Sequence, residues 1–422
     1  MPRRETTNRA AMALATVIFF MWGFLTSLND VLVPHLKAVF ALDYFHVMLV
    51  QFTFFGAYFV MSLPSGHIVS RIGYKHSIVA GLLVAGAGAM LFYPAAAMPS
   101  FGVFLTAFFT LASGITLLQV AANPYVSLLG PERTASSRLN LAQALNSLGT
   151  TLAPKLGGLL ILSGAVLTPI ELARLPATDQ VAYRAHQAAL VQGPYLGLAV
   201  VLFLVSAGVY LFHLPALASH ADDGGGERRR TFLDALGHRH LRLGIVAIFV
   251  YVGAEVSIGS FLINYISLPD IGGMPQSRAA TFVSLYWGGA MVGRFVGAGV
   301  LRRFSPGTLL GVAALVAAAL VATTMGTSGM AAVWSVVAIG LFNSIMFPNI
   351  FTLGIRRMGA LTGKASSLLI MAIVGGAVVP LAQGALADAI GVHRAFVLPL
   401  VCYLFVAFYG LNGARVEAEP LS

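Results

Sequence analysis

Charge is the scarcest property of this 422-residue chain: only 9% of its residues are Asp, Glu, Lys or Arg, and just 15 are acidic. A soluble domain of this length needs far more charge to cover its surface, so a water-facing globule is excluded. Cysteine occurs once, at Cys402, which rules out an intramolecular disulfide framework and leaves that thiol to packing or to lipid. No His-Glu-x-x-His, Gly-x-Ser-x-Gly or Gly-x-x-x-x-Gly-Lys-Ser/Thr run is present. Zinc hydrolysis, nucleophile-elbow catalysis and ATP-driven work therefore lack their residues, and the chain is not expected to be an enzyme. Alternating ten-residue segments are missing too, and a membrane barrel cannot be built without them. The first apolar run is too long for a cleaved leader and has no small-residue cleavage site. It is read as an insertion signal that stays in place.

What the chain has in abundance is apolar sequence. Hydrophobic residues make up 58% of it, in stretches near the roughly 20 residues that a hydrocarbon core about 30 Å thick demands. The spacing predicts spans at 11–36, 47–70, 76–94, 101–128, 140–163, 193–214, 241–267, 279–302, 306–327, 330–355, 364–389 and 394–412. An all-α membrane protein of twelve transmembrane helices follows, with the lipid bilayer as its solvent. The net charge of +10 comes from cations in alternate loops, among them Arg3, Arg4, Arg71, Lys75, Arg133, Arg138, Arg228, Arg229, Arg230, Arg302, Arg303, Arg356 and Arg357. The opposite loops hold only Lys37, Arg174, Arg184, Arg278 and Arg394. By the positive-inside rule both termini and the central loop are cytoplasmic. No compact basic domain exists, so nucleic acid is not expected as a partner.

The longest cytoplasmic polar stretch, 215–240, contains Asp222-Asp223-Gly224-Gly225-Gly226 and then Glu227-Arg228-Arg229-Arg230, and reads as a flexible linker. Six spans precede it and six follow. In the fourth and fifth spans Pro124 is followed six residues later by Gly130, and Gly149, Pro154 and Gly158 stand at intervals of five and four; in the tenth and eleventh Pro348 with Gly354, and Gly375 with Pro380 and Gly384, repeat those intervals. Gly56 and Arg71 are likewise spaced as Gly288 and Arg303. Two pseudo-symmetric six-helix bundles are expected, 1–214 and 241–422, a layout similar to the major facilitator superfamily with its binding site near the midplane. The many glycines read first as points of close helix approach, and Pro154 and Pro380 as candidate bends.

Polar groups inside spans are costly and each needs a reason. Two carboxylates lie well inside predicted helices, Asp30 in the first span and Glu255 in the seventh, at corresponding places in the two halves. Such acids can hold a proton or coordinate sodium through hard oxygens, or can sit at a wet helix end. Both are candidates for cation coupling; no other metal site and no resident cofactor is expected, only a co-transported proton or sodium ion. Lys155, midway through the fifth span, can snorkel, pair with Asp30 or donate to a ligand. Arg294 reads as a structural ion-pair member. Asn29, Gln119, Asn123, Asn140, Gln143 and Asn146 gather in the first, fourth and fifth spans, the last three at intervals of three and hence on one face. The second half adds Tyr251, Asn264, Tyr286, Trp287, Asn343, Asn349 and Gln383. Amides both donate and accept, which suits the hydroxyls of a neutral sugar, while helix-to-helix bonding is the competing use. Trp22, Tyr251 and Trp287 can stack on a pyranose ring or anchor at the membrane interface.

Phe20-Met21-Trp22-Gly23-Phe24 with Leu28-Asn29-Asp30-Val31-Leu32-Val33-Pro34 resembles the first helix of the fucose permease family. So do Gln119-Val120-Ala121-Ala122-Asn123-Pro124-Tyr125-Val126, Arg138-Leu139-Asn140-Leu141-Ala142-Gln143-Ala144-Leu145-Asn146-Ser147 and, more weakly, Phe347-Pro348-Asn349-Ile350-Phe351. The resemblance covers nearly the whole chain. It implies a bacterial inner-membrane sugar symporter, a monomer, in which the first-helix acid Asp30 takes part in coupling. Gln119 stands where the fucose permease has a second functional acid, and Glu255 stands where its pattern has an amide. That exchange is similar to the glucose/galactose branch, so a hexose is the expected sugar. L-fucose, N-acetylglucosamine, a facilitative uniporter and a transporter-like sugar sensor are the alternatives.

Overall fold

Lipid offers a backbone no hydrogen-bonding partner, so a chain this apolar satisfies its own amides by coiling. The computed structural model describes residues 8–40, 44–98, 100–161, 174–212 and 231–416; within them the side chains of 29–39, 44–48, 51, 154, 155, 157–161, 177, 181, 276, 277 and 280 lie outside the description. Its elements are α1 (Arg9–Phe40), α2 (Tyr44–Ala97), α3 (Phe101–Leu128), α4 (Ala135–Ile161), α5 (Ala177–Ala189) and α6 (Gln192–Leu211). After these come α7 (Phe232–Leu236), α8 (Arg239–Ile266), α9 (Gln276–Val300), α10 (Pro306–Gly326), α11 (Gly329–Asn343) and α12 (Met346–Gly354). The chain closes with α13 (Thr362–Met371), α14 (Gly375–Ile390), α15 (Val392–Ala395) and α16 (Val397–Phe408). No strand occurs among the described residues.

The twelve expected spans fall on these helices, three of them divided: 330–355 between α11 and α12, 364–389 between α13 and α14, and 394–412 between α15 and α16. Among the described residues, nine helical stretches are long and apolar enough to cross a membrane. One of them, Phe52–Ala97, holds two expected spans, which part at Gly73. There φ is 76° and ψ 172°, a conformation open to glycine and closed to most other residues. The remaining two spans are α4 and α9, 27 and 25 residues long, whose polar side chains include Asn140, Gln143 and Asn146 on one and Arg294 on the other. Two elements go beyond the sequence reading. α5 lies in what was read as a loop. α7 lies within 215–240 and is fixed by a capping box in which Thr231 and Asp234 bond each other's backbone N–H.

The described residues divide into two compact units. One gathers Ala13–Ala122 and Leu145–Ala216. In it α2 and α3 cross closely: a Cβ at Gly114 would meet the backbone of Ala85. Phe92 of α2 stacks on Tyr195 of α6 at 4.0 Å, and Ser206 Oγ donates to the Val79 carbonyl. The second unit gathers Met1–Met12, Asn123–Ala144 and Leu217–Ser422, so α3 and α4 contribute residues to both. Its bends have a covalent origin. Pro348 has no N–H for the carbonyl four residues back, Ser344, and its ring crowds that carbonyl. The helix breaks at 344–345, separating α11 from α12, and Arg294 Nε takes the released Ser344 oxygen at 3.2 Å. The same device occurs in the first unit, where Pro154 cannot donate to Thr150 and Ser27 Oγ of α1 does so at 3.0 Å. Cys402 is buried, which selects packing over lipid contact for the single thiol.

If Ser27 is the stand-in donor for Pro154, Ser27→Ala lowers stability by about 1 kcal/mol. Adding Pro154→Ala, which restores an N–H to the Thr150 carbonyl, then recovers much of the loss. Thermal unfolding of the purified protein in detergent reads both, and a double variant no better than Ser27→Ala alone contradicts the exchange.

Candidate functional site

Tyr251 and Glu255 lie four residues apart on α8 and share its buried face. Tyr251 is fully buried and donates to the Asn343 carbonyl at 3.0 Å. The Asn343 amide donates to Tyr286 Oη at 2.7 Å, and that hydroxyl donates in turn to the Glu255 carbonyl at 3.3 Å. Asn343 is the last residue of α11, at the break that Pro348 imposes. A closed ring of hydrogen bonds thus ties α8, α9 and α11 and fixes the Glu255 backbone. Glu255 is buried, and its Oε1 has no hydrogen-bond partner among the described residues. Tyr251 lies within hydrogen-bonding reach of the carboxyl group, and the guanidinium of Arg294 acts on it electrostatically. Arg294 therefore serves both the broken helix and the acid.

The remaining sequence candidates divide between the two units. Gln119 Nε2 donates to Tyr58 Oη at 2.6 Å, joining α3 to α2. Asn146 Nδ2 donates to the Phe19 carbonyl at 3.0 Å, joining α4 to α1. Asn140 lies in the other unit, where its Nδ2 bonds the Ser136 carbonyl at 2.9 Å and Asn349 Oδ1 at 3.3 Å. Asn123 and Gln143 are buried in the same unit. The amides at intervals of three therefore share a helix face but not an environment, and Asn146 spends its donor on a neighbouring helix. Trp287 is 41% exposed, edge-on to Tyr286. Asn29, Asp30 and Lys155 sit on α1 and α4, with their side chains outside the described residues.

Three participants escaped the sequence reading. Tyr58 partners Gln119, Tyr403 faces Glu255 and Tyr286 electrostatically, and Ser257 is a fully buried hydroxyl. Only Ser257 had a signal, its place one turn beyond Gly253 on a helix rich in small residues. The turn between α3 and α4 is also more ordered than its length suggests. Arg138 donates to the carbonyls of Val126, Ser127, Gly130 and Pro131 and to Thr134 Oγ1, at 2.5–3.2 Å. The hairpin so fixed meets α12 and α9 through Ser136 Oγ to Thr352 Oγ1 and Ser137 Oγ to the Ala298 carbonyl, both 2.5 Å. Outside it Arg356 Nε meets Glu132 Oε1 at 2.8 Å.

Long apolar helices with a polar cluster buried among them define a multi-pass α-helical membrane protein. Residues 13–377 match the Major Facilitator Superfamily. The chain is 50% identical over 405 residues to a glucose/galactose transporter of Brucella abortus, across 96% of this chain and 94% of that protein. It is 42% identical over 419 residues to a putative glucose/galactose transporter of Helicobacter pylori, across 98% and 99%. A crystal structure of the Escherichia coli fucose:proton symporter matches with a TM-score of 0.88 at 32% identity, across 96% of this chain and 98% of that one. The chain belongs to the Major Facilitator Superfamily, a class of transporters and not of enzymes.

Because Tyr286 Oη is the acceptor for a buried amide, Tyr286→Phe strands the Asn343 NH₂ and costs about 1–3 kcal/mol. Adding Asn343→Leu removes the stranded group, so the double variant is more stable than additivity predicts. A thermal-unfolding double-mutant cycle measures the coupling, and strict additivity rules the bond out.

Proposed function

We propose that this chain is a symporter that brings a hexose such as glucose or galactose into a bacterial cell across the inner membrane, driven by a proton or sodium gradient. It works by alternating access as a monomer with both termini in the cytoplasm, the sequence halves 1–214 and 241–422 being its moving parts and 215–240 their connection. The observation that carries the coupling is Glu255. A carboxylate held among Tyr251, Tyr286 and Asn343 in a membrane helix is costly unless it exchanges a cation. The likeness to glucose/galactose transporters supports the sugar. Asp30 is the coupling candidate of the first half, with Asn29, Gln119, Asn123, Asn140, Gln143, Asn146, Lys155, Tyr251, Trp287 and Asn343 as the polar and aromatic groups available to the substrate. One rival is a facilitative carrier in which Lys155 permanently neutralises a cavity acid.

Uptake of labelled glucose and galactose into proteoliposomes separates the two readings. A symporter concentrates sugar when a proton or sodium gradient is imposed, and Asp30→Asn or Glu255→Gln abolishes concentration while leaving sugar exchange in place. Exchange with no accumulation under either gradient establishes the facilitative carrier instead.

A further inference from the structure

α8 and α14 pack side by side and in step. A Cβ on Gly375 would strike the Phe249 backbone, and one on Gly253 would strike the Val379 side chain. Layers four residues apart on both helices therefore pair 249 with 375 and 253 with 379. The next layer holds Ser257 and Gln383. Both are fully buried, and Ser257 Oγ, Gln383 Oε1 and Gln383 Nε2 have no hydrogen-bond partner among the described residues. A buried amide bonded to nothing is a standing penalty that Leu or Met in the same place avoids. A second observation concerns the same helix: α14 is separated from α13 by the 3-10 turn Ala372–Val374, and Pro380 lies inside it one turn before Gln383. Discontinuous membrane helices are where carriers place their ligands.

The three free groups select the chemistry. A cation is taken by Oε1 and Oγ but repelled by the amide N–H; an anion is taken by the N–H but repelled by Oε1. A neutral molecule with adjacent hydroxyls satisfies all of them. We propose that Gln383, with Ser257, forms a specificity-determining subsite that binds two neighbouring hydroxyls of the transported hexose, an inference that rests on the transport reading above. Gln383 Oε1 accepts from one hydroxyl while Nε2 donates to the next, and Ser257 Oγ completes the bonding of one of them. The sugar reaches this layer when α14 bends at Pro380.

The test is competition by 2-, 3-, 4- and 6-deoxyglucose against labelled glucose uptake in proteoliposomes, with wild type, Gln383→Met and Ser257→Ala. In the wild type, two analogues modified at adjacent carbons compete about tenfold or more worse than glucose. In Gln383→Met, glucose itself weakens about tenfold, the penalty for those two analogues vanishes, and the penalties for the other two persist. Ser257→Ala relaxes one analogue of the pair. A deoxy pattern in Gln383→Met identical to the wild type overturns the subsite while leaving the transport reading intact. A wild type that takes up no hexose under any gradient overturns the transport reading and the subsite with it. Thermal unfolding without sugar gives the folding control. Gln383→Met equals or exceeds the wild type if the amide waits for a ligand, and a lower unfolding temperature assigns Gln383 a structural role and overturns the proposal.

Discussion

In hydrocarbon no water reaches a carbonyl that a proline has released, so another part of the chain must. That requirement recurs through this protein. Ser27 reaches from α1 to the Thr150 oxygen left by Pro154, and Arg294 reaches from α9 to the Ser344 oxygen left by Pro348. Each released carbonyl is thereby tied to a second helix, and the polar side chain that performs the repair is fixed in turn. Arg294 shows the consequence: a residue recruited by backbone chemistry also sets the field at Glu255.

The same rule sorts the buried polar side chains into two kinds. Gln119, Asn146, Asn140, Tyr251, Tyr286 and Asn343 have at least one partner on another helix or turn and act as cross-links, although Asn140 Oδ1 and Asn343 Oδ1 have none among the described residues. Glu255 Oε1, Ser257 Oγ and the Gln383 amide have none among the described residues. Bonded atoms hold helices at fixed separations and cannot change partners without loss. Unsaturated groups carry free energy that a ligand or an ion can recover. A carrier needs both kinds, and the ring through Tyr251, Asn343 and Tyr286 sets one directly against the other at Glu255.

The spans were legible because lipid imposes a length and a composition on each of them, and even the parting of Tyr44–Ala97 at Gly73 was foreshadowed by the Arg71 to Lys75 polar break. α5 was not legible, since a polar helix such as Ala177–Ala189 carries no long apolar run. The break between α11 and α12 was missed: 330–355 was expected as one span and Pro348 counted only for its spacing, because what receives the freed carbonyl lies on another helix. Spacing put Asn140, Gln143 and Asn146 on one face, but spacing cannot say what faces them. Asn146 meets a carbonyl and Asn140 meets Asn349, and both outcomes depend on helices distant in sequence. Glu255 stood out because an acid in an apolar run is rare. Ser257 and Gln383 became distinct only through the partners they lack.

Glu132 follows Pro124 by the same eight residues that separate Arg356 from Pro348, so the exposed ion pair joins equivalent positions of the two sequence repeats. Two perfectly matched copies of one repeat would bring identical side chains together there, either two carboxylates or two guanidinium groups, and like charges at that range repel. The contact exists only because the copies have diverged in sign. Where an element of a duplicated architecture meets its own counterpart, identical charges would oppose the contact and opposite ones favour it slightly, and at this point the two copies differ in sign.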